Sequence, residues 1–431
     1  MGNPKSFSYY RNRICFLSLF MIVGFSLSAQ IQTITLSQCI DSVQTHSYLL
    51  NAEKLNTQSA EKNIDIRHTD YLPAISGDVG VSGNFLGADQ YNFGQQWTMI
   101  HGDWSLGYLL RKTDRIARQK LVTATLMQEK IRIDGISRVT SLYMNVLQKR
   151  KQLELLDERA TFLEKHRAVA LSLWKAGVRT RLDVLQTEIE VSVTKEEAVR
   201  VGMAIRNSIQ ELSLLTGLSD SITLEKIDTG NLIASVDKKI LNNMMVVENP
   251  MYKMLQSEVQ TQQLQISDIE AKQWPHVVVG GGHIVDGDPT SDGNFWTIQT
   301  GITIPIYQWR KIRTEKEQVQ VLSDSKNMEL QDLGRELTIH VDKTLTRLEE
   351  LEKMMIVSQE RMKTLEESLA LANLNYKAGW VTNLEYLAVQ QQLTNNLIKI
   401  EAIRLEYILN LIEFYLTTNQ VVRIRVMEMA N

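Results

Sequence analysis

The chain has 431 residues with 47 Lys+Arg against 50 Asp+Glu, a balance that carries no basic footprint for nucleic acid. Its 43% hydrophobic and 23% charged content is that of an ordinary folded chain, and two cysteines cannot build a disulfide framework. After residue 30 no apolar run reaches the ~18 residues of a membrane-spanning helix, so a polytopic helical membrane protein, a cysteine-rich secreted module and a zinc-finger protein are all excluded.

Residues 1–29 read as a secretory signal. Lys5, Arg11 and Arg13 form a basic start, Ile14 to Leu27 is apolar, and Ser26-Leu27-Ser28-Ala29 offers small residues for cleavage before Gln30. Fourteen apolar residues are too few to anchor the chain across a bilayer. Cys15 lies at the start of the apolar stretch, unlike a lipoprotein cysteine, and signal removal leaves Cys39 alone.

Beyond the signal the chain repeats itself at an offset of 202 residues. Trp174-Lys175-Ala176-Gly177-Val178-Arg179-Thr180-Arg181-Leu182-Asp183-Val184-Leu185 matches Tyr376-Lys377-Ala378-Gly379-Trp380-Val381-Thr382-Asn383-Leu384-Glu385-Tyr386-Leu387. The same offset carries Leu72-Pro73 onto Trp274-Pro275, and Glu211, Leu214 and Thr216 onto Glu413, Leu416 and Thr418. Agreement over so long a stretch marks a duplicated structural unit. The copies occupy about 30–217 and 237–419, with a less regular connector at 218–236 and a C-terminal tail at 420–431.

Each copy has one internal order. A helical segment runs to the proline, Cys39 to Asp70 and then Tyr252 to Gln273. The period then switches to alternation, with Ile75, Val79 and Val81 in the first copy and Val277 and Val279 in the second. Trp296, Ile298, Ile302, Ile304 and Ile306 share one face of a further strand, so each copy holds a β-hairpin, about 74–108 and about 276–306. From about 110 to 176, and from about 310 to 378, there is no proline and one glycine each. Leu330, Leu333, Leu337, Val341, Leu345, Leu348, Leu351, Met355, Met362, Leu365 and Leu369 keep a three-and-four spacing, a coiled-coil seam. Sixty-odd residues at 1.5 Å each extend roughly 95 Å. Each long helix stops at a glycine and reverses into a second one, Thr180 to Leu215 and Thr382 to Leu416.

No catalytic chemistry is legible. Asp286, Asp288 and Asp292 resemble a calcium loop, but its twelfth position is Thr297 rather than an acid. Gly280-Gly281-Gly282 lacks the Gly-Lys-Ser/Thr end of a phosphate loop, and the seven histidines have no metal spacing. The reading is of a non-enzyme without metal or cofactor.

Five of seven tryptophans (Trp97, Trp104, Trp274, Trp296, Trp309) sit in or beside the strands. Aromatic girdles around an alternating band are the pattern of a transmembrane β-barrel, although a small soluble sheet with a tryptophan core has the same local look. Four strands cannot close a barrel, which needs about eight, and an open edge in lipid leaves backbone groups unpaired. Strands placed in a membrane must therefore come from several chains. Three chains supply twelve.

Together these residues resemble the TolC family of outer-membrane efflux proteins. The resemblance rests on the two-fold repeat, the helix–hairpin–helix order, the Leu-Pro or Trp-Pro step, and the aromatic-Lys-Ala-Gly turns followed by Leu-acid-x-Leu, and it spans nearly all of the chain after the signal. It implies a mostly α fold with a transmembrane β part: a homotrimer whose twelve-stranded barrel continues into a twelve-helix periplasmic tunnel. It also implies an outer-membrane location in a Gram-negative cell, and a periplasmic adaptor (membrane fusion protein) and inner-membrane transporter as partners. The channel itself is then a passive exit duct. An exported periplasmic coiled-coil protein that never enters lipid is the alternative.

In the family the tunnel closes at its periplasmic end, where the helices reverse. By the match of motifs these reversals are Lys175–Leu185 and Lys377–Leu387. The resemblance puts Asp183 and Glu385 at the entrance, with Arg179 in the first turn and Tyr386 supplying bulk to the constriction. Val381 and Ala388 stand where some members carry a basic gating residue and a second carboxylate. Gly177, Val178 and Thr180, with Gly379, Trp380 and Thr382, form the helix tips where an adaptor would dock. Locally, the glycines suit helix C-termini, and Thr180 with Asp183, like Thr382 with Glu385, fits a capping box.

Overall fold

A computed structural model describes residues 32–85, 91–105, 111–218, 222–227, 246–286 and 294–420. The expected signal, the tip of the first hairpin, most of the connector, the second hairpin turn with Asp288 and Asp292, and nearly all of the C-terminal tail lie outside those residues.

Strand β1 (Gln32–Ile34) leads into α1 (Leu36–His46), whose start is a capping box. Thr35 Oγ1 accepts from the Gln38 amide while Gln38 Oε1 accepts from the Thr35 amide. Helix α2 (Tyr48–Thr69) follows after Ser47, whose extended backbone and cap bond to the Leu50 amide start a new helix. The helical segment expected as one element is therefore two. Strands β2 (Ala74–Phe85) and β3 (Tyr91–Ser105) precede α3 (Thr113–Lys175) and α4 (Arg181–Thr216). Strand β4 (Ile222–Leu224) and a 3-10 turn (Val246–Glu248) separate the copies. The second copy is α5 (Pro250–Ala271), β5 (His276–Asp286), β6 (Asn294–Thr303), α6 (Lys311–Ala378) and α7 (Asn383–Thr417). The 202-residue offset carries α2 onto α5 end to end, and the first residue of α4 onto that of α7.

Helices α3 and α6 have 63 and 68 residues, so each runs roughly 95–100 Å. Each packs along the helix into which it reverses, while α2 and α5 flank the strand-proximal parts of α3 and α6. Every residue of the expected α6 seam is buried or half-buried, with Val341, Leu348 and Leu351 in the core. That core lies midway along the bundle and joins α1, α3, α6 and α7 around Tyr143, Tyr407 and Phe414. The connector, expected to be irregular, contributes β4, which pairs in parallel with β1. Tyr143 Oη donates across both strands, to Glu225 O at 2.9 Å and Ile34 O at 3.2 Å. This pairing has no sequence signal because each strand is only three residues long.

The hairpins form a single antiparallel sheet in the order β2-β3-β5-β6. Strands β3 and β5 join the two copies, from Trp97 opposite Asp286 to Ser105 opposite Val278. Directly opposed residues share a face. The register therefore puts Ile75, Val79, Ile100, Val277, Val279, Trp296, Ile298 and Ile302 on one side. Val79, Trp296 and Ile298 on it are about four-fifths exposed. Strand β6 ends at Thr303, so Ile304 and Ile306, expected to continue it, fall in the segment leading to α6. At the sheet–helix junction Arg111 bonds Asp268 through both Nε (3.3 Å) and Nη2 (3.0 Å), and the Lys112 amide donates to the same carboxylate at 3.1 Å. The start of α3 is thereby tied to the end of α5.

Candidate functional site at the helix reversals

Both reversals lie at the same end of the bundle, opposite the sheet. Each follows from its glycine. Gly177 (φ 73°) and Gly379 (φ 90°) take the left-handed conformation that a residue with a Cβ resists. The next amide then reaches back to the helix end: Val178 N donates to Leu173 O, and Trp380 N to Asn375 O, both at 2.9 Å. This is the glycine-terminated stop expected of the sequence.

The restarts differ. At α7 the capping box is complete: Thr382 Oγ1 accepts from the Glu385 amide, and Glu385 Oε2 accepts from the Thr382 amide at 2.8 Å. Those bonds hold the Glu385 carboxyl below its usual range. At α4 no such box forms, contrary to the expectation. Thr180 Oγ1 turns instead to Asp183 Oδ1 at 3.1 Å, and the α4 start lacks a side-chain cap.

The two turns are bonded to each other. Arg179, half-buried, sends Nη2 to Tyr376 O and Val381 O, each at 2.7 Å, and its guanidinium carbon lies 4.5 Å from the Tyr376 ring centroid. The first copy thus grips the second by two main-chain carbonyls. From the other direction Asn383, 1% exposed, donates to Asp183 O at 3.0 Å and to Gln186 Oε1 and Thr187 Oγ1 at 3.3 Å. Its Oδ1 sits 2.8 Å from His166 Nε2.

Around these bonds lies a small aromatic core of Leu163, Val191, Ala372, Tyr376, Tyr386 and Leu387. The His166 ring stacks on Tyr386 (4.1 Å between centroids) and tilts against Tyr376 (4.8 Å). Tyr386, expected to line the constriction, is 2% exposed within this core, and burial pushes its hydroxyl pKa up to about 12. Helical phase explains the correction: Asn383, Tyr386, Leu387 and Gln390 share the three-and-four spacing of the face turned to α3 and α4. Glu385 is on the exposed side, and Asp183 is half-buried. Tyr376 Oη and Arg179 Nε are both buried without a hydrogen-bond partner, unusual for interior polar atoms.

Above the core, Arg159, 8% exposed, bonds Gln390 Oε1 at 3.0 Å and Glu190 Oε2 at 2.9 Å. Arg159, His166 and Asn383 belong to no site expected from the sequence. The one signal available was phase: Arg159, Leu163, His166 and Ala170 occupy successive seam positions of α3, where a polar residue needs a partner.

The outer tip is apolar and open. Val178, Leu182, Trp380 and Leu384 are each more than half exposed, with Trp380 at 82%. Among the described residues no group of His, Cys, Asp and Glu could hold a metal, and no helix is long and apolar enough to cross a membrane.

Residues 39–218 match the family model described as outer membrane efflux protein. Among curated protein sequences nothing matches. Among solved structures, CusC is similar with TM-score 0.77 and 16% identity, over 89% of this chain and 91% of that one. The CmeC outer membrane channel of Campylobacter jejuni gives TM-score 0.74 and 14% identity, over 92% and 89%. The outer membrane protein VceC of Vibrio cholerae gives 0.74 and 12%, over 90% and 95%. At such identities the likeness is one of fold. It covers both copies of the repeat, and the first of them, residues 39–218, is similar to the outer membrane efflux protein family.

Proposed function

We propose that the chain is one of three identical subunits of an outer-membrane channel, the passive exit duct of a tripartite efflux system in a Gram-negative envelope. The observation that carries this reading is the four-stranded sheet. One side of it bears Ile75, Val79, Trp296, Ile298 and Ile302, all highly exposed, and its outer strands β2 and β6 are paired on one side only among the described residues. In lipid each unpaired backbone group costs several kcal/mol. Joining β6 of one protomer to β2 of the next in a closed ring of three removes both edges and gives twelve strands. An exported coiled-coil protein that stays in water has no use for this exposed apolar band.

The same closure sets three copies of each helix pair around an axis, the geometry of a tunnel. Asp183 and Glu385 then form carboxylate rings at the periplasmic entrance, which favour cations. The apolar tips at Val178 and Trp380, with the turns Gly177–Thr180 and Gly379–Thr382, suit the docking of helical hairpins from a periplasmic adaptor. An inner-membrane transporter supplies the energy for a duct that is itself passive. The test is the mass of the particle extracted from outer-membrane fractions in detergent, corrected for bound detergent. A trimer is expected. A monomer or dimer recovered without detergent overturns the reading.

A further inference from the structure

We propose that His166 is a proton-binding site that controls whether the two helix reversals of a protomer stay joined, so that mild acid releases one hairpin tip from the other. The proposal rests on the channel reading for its consequence but not for its test.

The geometry assigns the proton. Asn383 Nδ2 donates to Asp183 O, Gln186 Oε1 and Thr187 Oγ1, which fixes the amide with its oxygen toward His166. His166 Nε2 must then carry the hydrogen, leaving Nδ1 bare in the neutral ring. The ring is 5% exposed, stacked on Tyr386 and tilted against Tyr376. His166 comes from α3, Asn383 from α7, and the atoms that Asn383 holds from α4. One imidazole thus completes a chain of bonds across three helices of both copies.

A second proton would put a charge into this core. The titratable groups facing the ring are Asp183 from α4, Tyr376 from α6 and Tyr386 from α7, and the charged Arg179 of the first turn lies over the Tyr376 ring. Asp183 favours the imidazolium, as does the bond to Asn383, but burial outweighs both and lowers the pKa of His166. The Arg159–Glu190 pair lies two turns further along α3 and is already satisfied. Separation of the tips would return the ring to water, where its pKa is about 6.5. A group depressed in the joined state and ordinary in the parted state binds more protons when parted. Acid therefore favours parting, beginning as pH falls below about 6.5.

The experiment uses the full-length protein in detergent, with spin labels at Val178→Cys and Trp380→Cys, both exposed positions. The intra-protomer label distance is read from pH 8 to pH 5. A growing long-distance population with a midpoint at or below about pH 6.5 is expected, and its loss in His166→Gln, which cannot titrate. An unchanged distance distribution in the native-His166 protein overturns the proposal, whatever the variant does. A transition that persists unaltered in folded His166→Gln also overturns it, since another group would then be responsible. Bilayer conductance on the same samples separates the two ideas. An acid-induced, His166-dependent distance change without any pore refutes the channel and leaves the proton site standing.

Discussion

Arg179→Ala removes the grip of the first turn on the second. Two charged-donor bonds, each at 2.7 Å, and one cation–π contact disappear. Such bonds contribute about 1.5–3 kcal/mol each when nothing replaces them, and the ring contact about 0.5–1 kcal/mol. Full loss is not expected. Tyr376 O keeps the Gly379 amide at 3.1 Å, and Val381 is half-exposed, so water can replace the guanidinium at its carbonyl. About 2 kcal/mol of tip coupling should be lost, roughly a 30-fold shift toward parted tips. Arg179→Lys should fall between, because an ammonium lacks the planar fork of the guanidinium. Single-channel recording at neutral pH measures the fraction of time spent conducting, alongside a check that trimers are intact. A conducting fraction within two-fold of the parent in Arg179→Ala would refute the reasoning.

Thr382→Ala should lose about 1 kcal/mol from the start of α7, whereas Thr180→Ala should lose less at α4, because its hydroxyl caps no backbone amide. Amide exchange of the first turn of each helix compares them. Glu385→Ala should alter cation block or open-state conductance, and no change in either would remove Glu385 from the pore. The depressed Glu385 carboxyl stabilises its cap above the ordinary carboxylate range and stops doing so as pH falls through its lowered pKa. The α7 start should therefore fray in acid below the ordinary carboxylate range in the parent protein, while Glu385→Gln should show no such acid step. Tyr386→Ala should cost about 3–5 kcal/mol locally, seen as faster exchange confined to the tip; normal protection there would contradict its place in the aromatic core. Trp380→Glu should weaken adaptor binding with trimer assembly intact, and unaltered binding would exclude Trp380 from the docking surface.

The long helices, their stops and the hairpins were legible because each has a local cause. Gly177 and Gly379 end helices through backbone freedom, and the seam from Leu330 to Leu369 follows a period that no strand can keep. The resemblance to the efflux family was legible because the copies preserve their turns at a fixed offset. The β1–β4 pair was not, since its three-residue strands are defined only by a partner about 190 residues away. Tyr386 was misread because the sequence gives its distance from the turn but not which neighbour its face meets. The cross-tip bonds escaped for a related reason. Asn383 occupies the first position of a helix, where a polar residue needs no special explanation until its burial among Asp183, Thr187 and His166 is known.

The bonded tips also record how the two halves came to differ. The offset that superposes the helices pairs Arg179 with Val381, His166 with Ser368, Arg181 with Asn383 and Val184 with Tyr386. These four joining residues have dissimilar counterparts, while the glycines that shape the turns are kept. Two copies of the first half would retain the helices and strands but would set a second arginine side chain where Val381 now stands beside Arg179. Divergence after duplication has made the halves complementary rather than interchangeable. In the proposed ring of three chains, left and right neighbours of any hairpin would therefore be chemically distinct, and a pseudo-sixfold tube would acquire a direction of rotation.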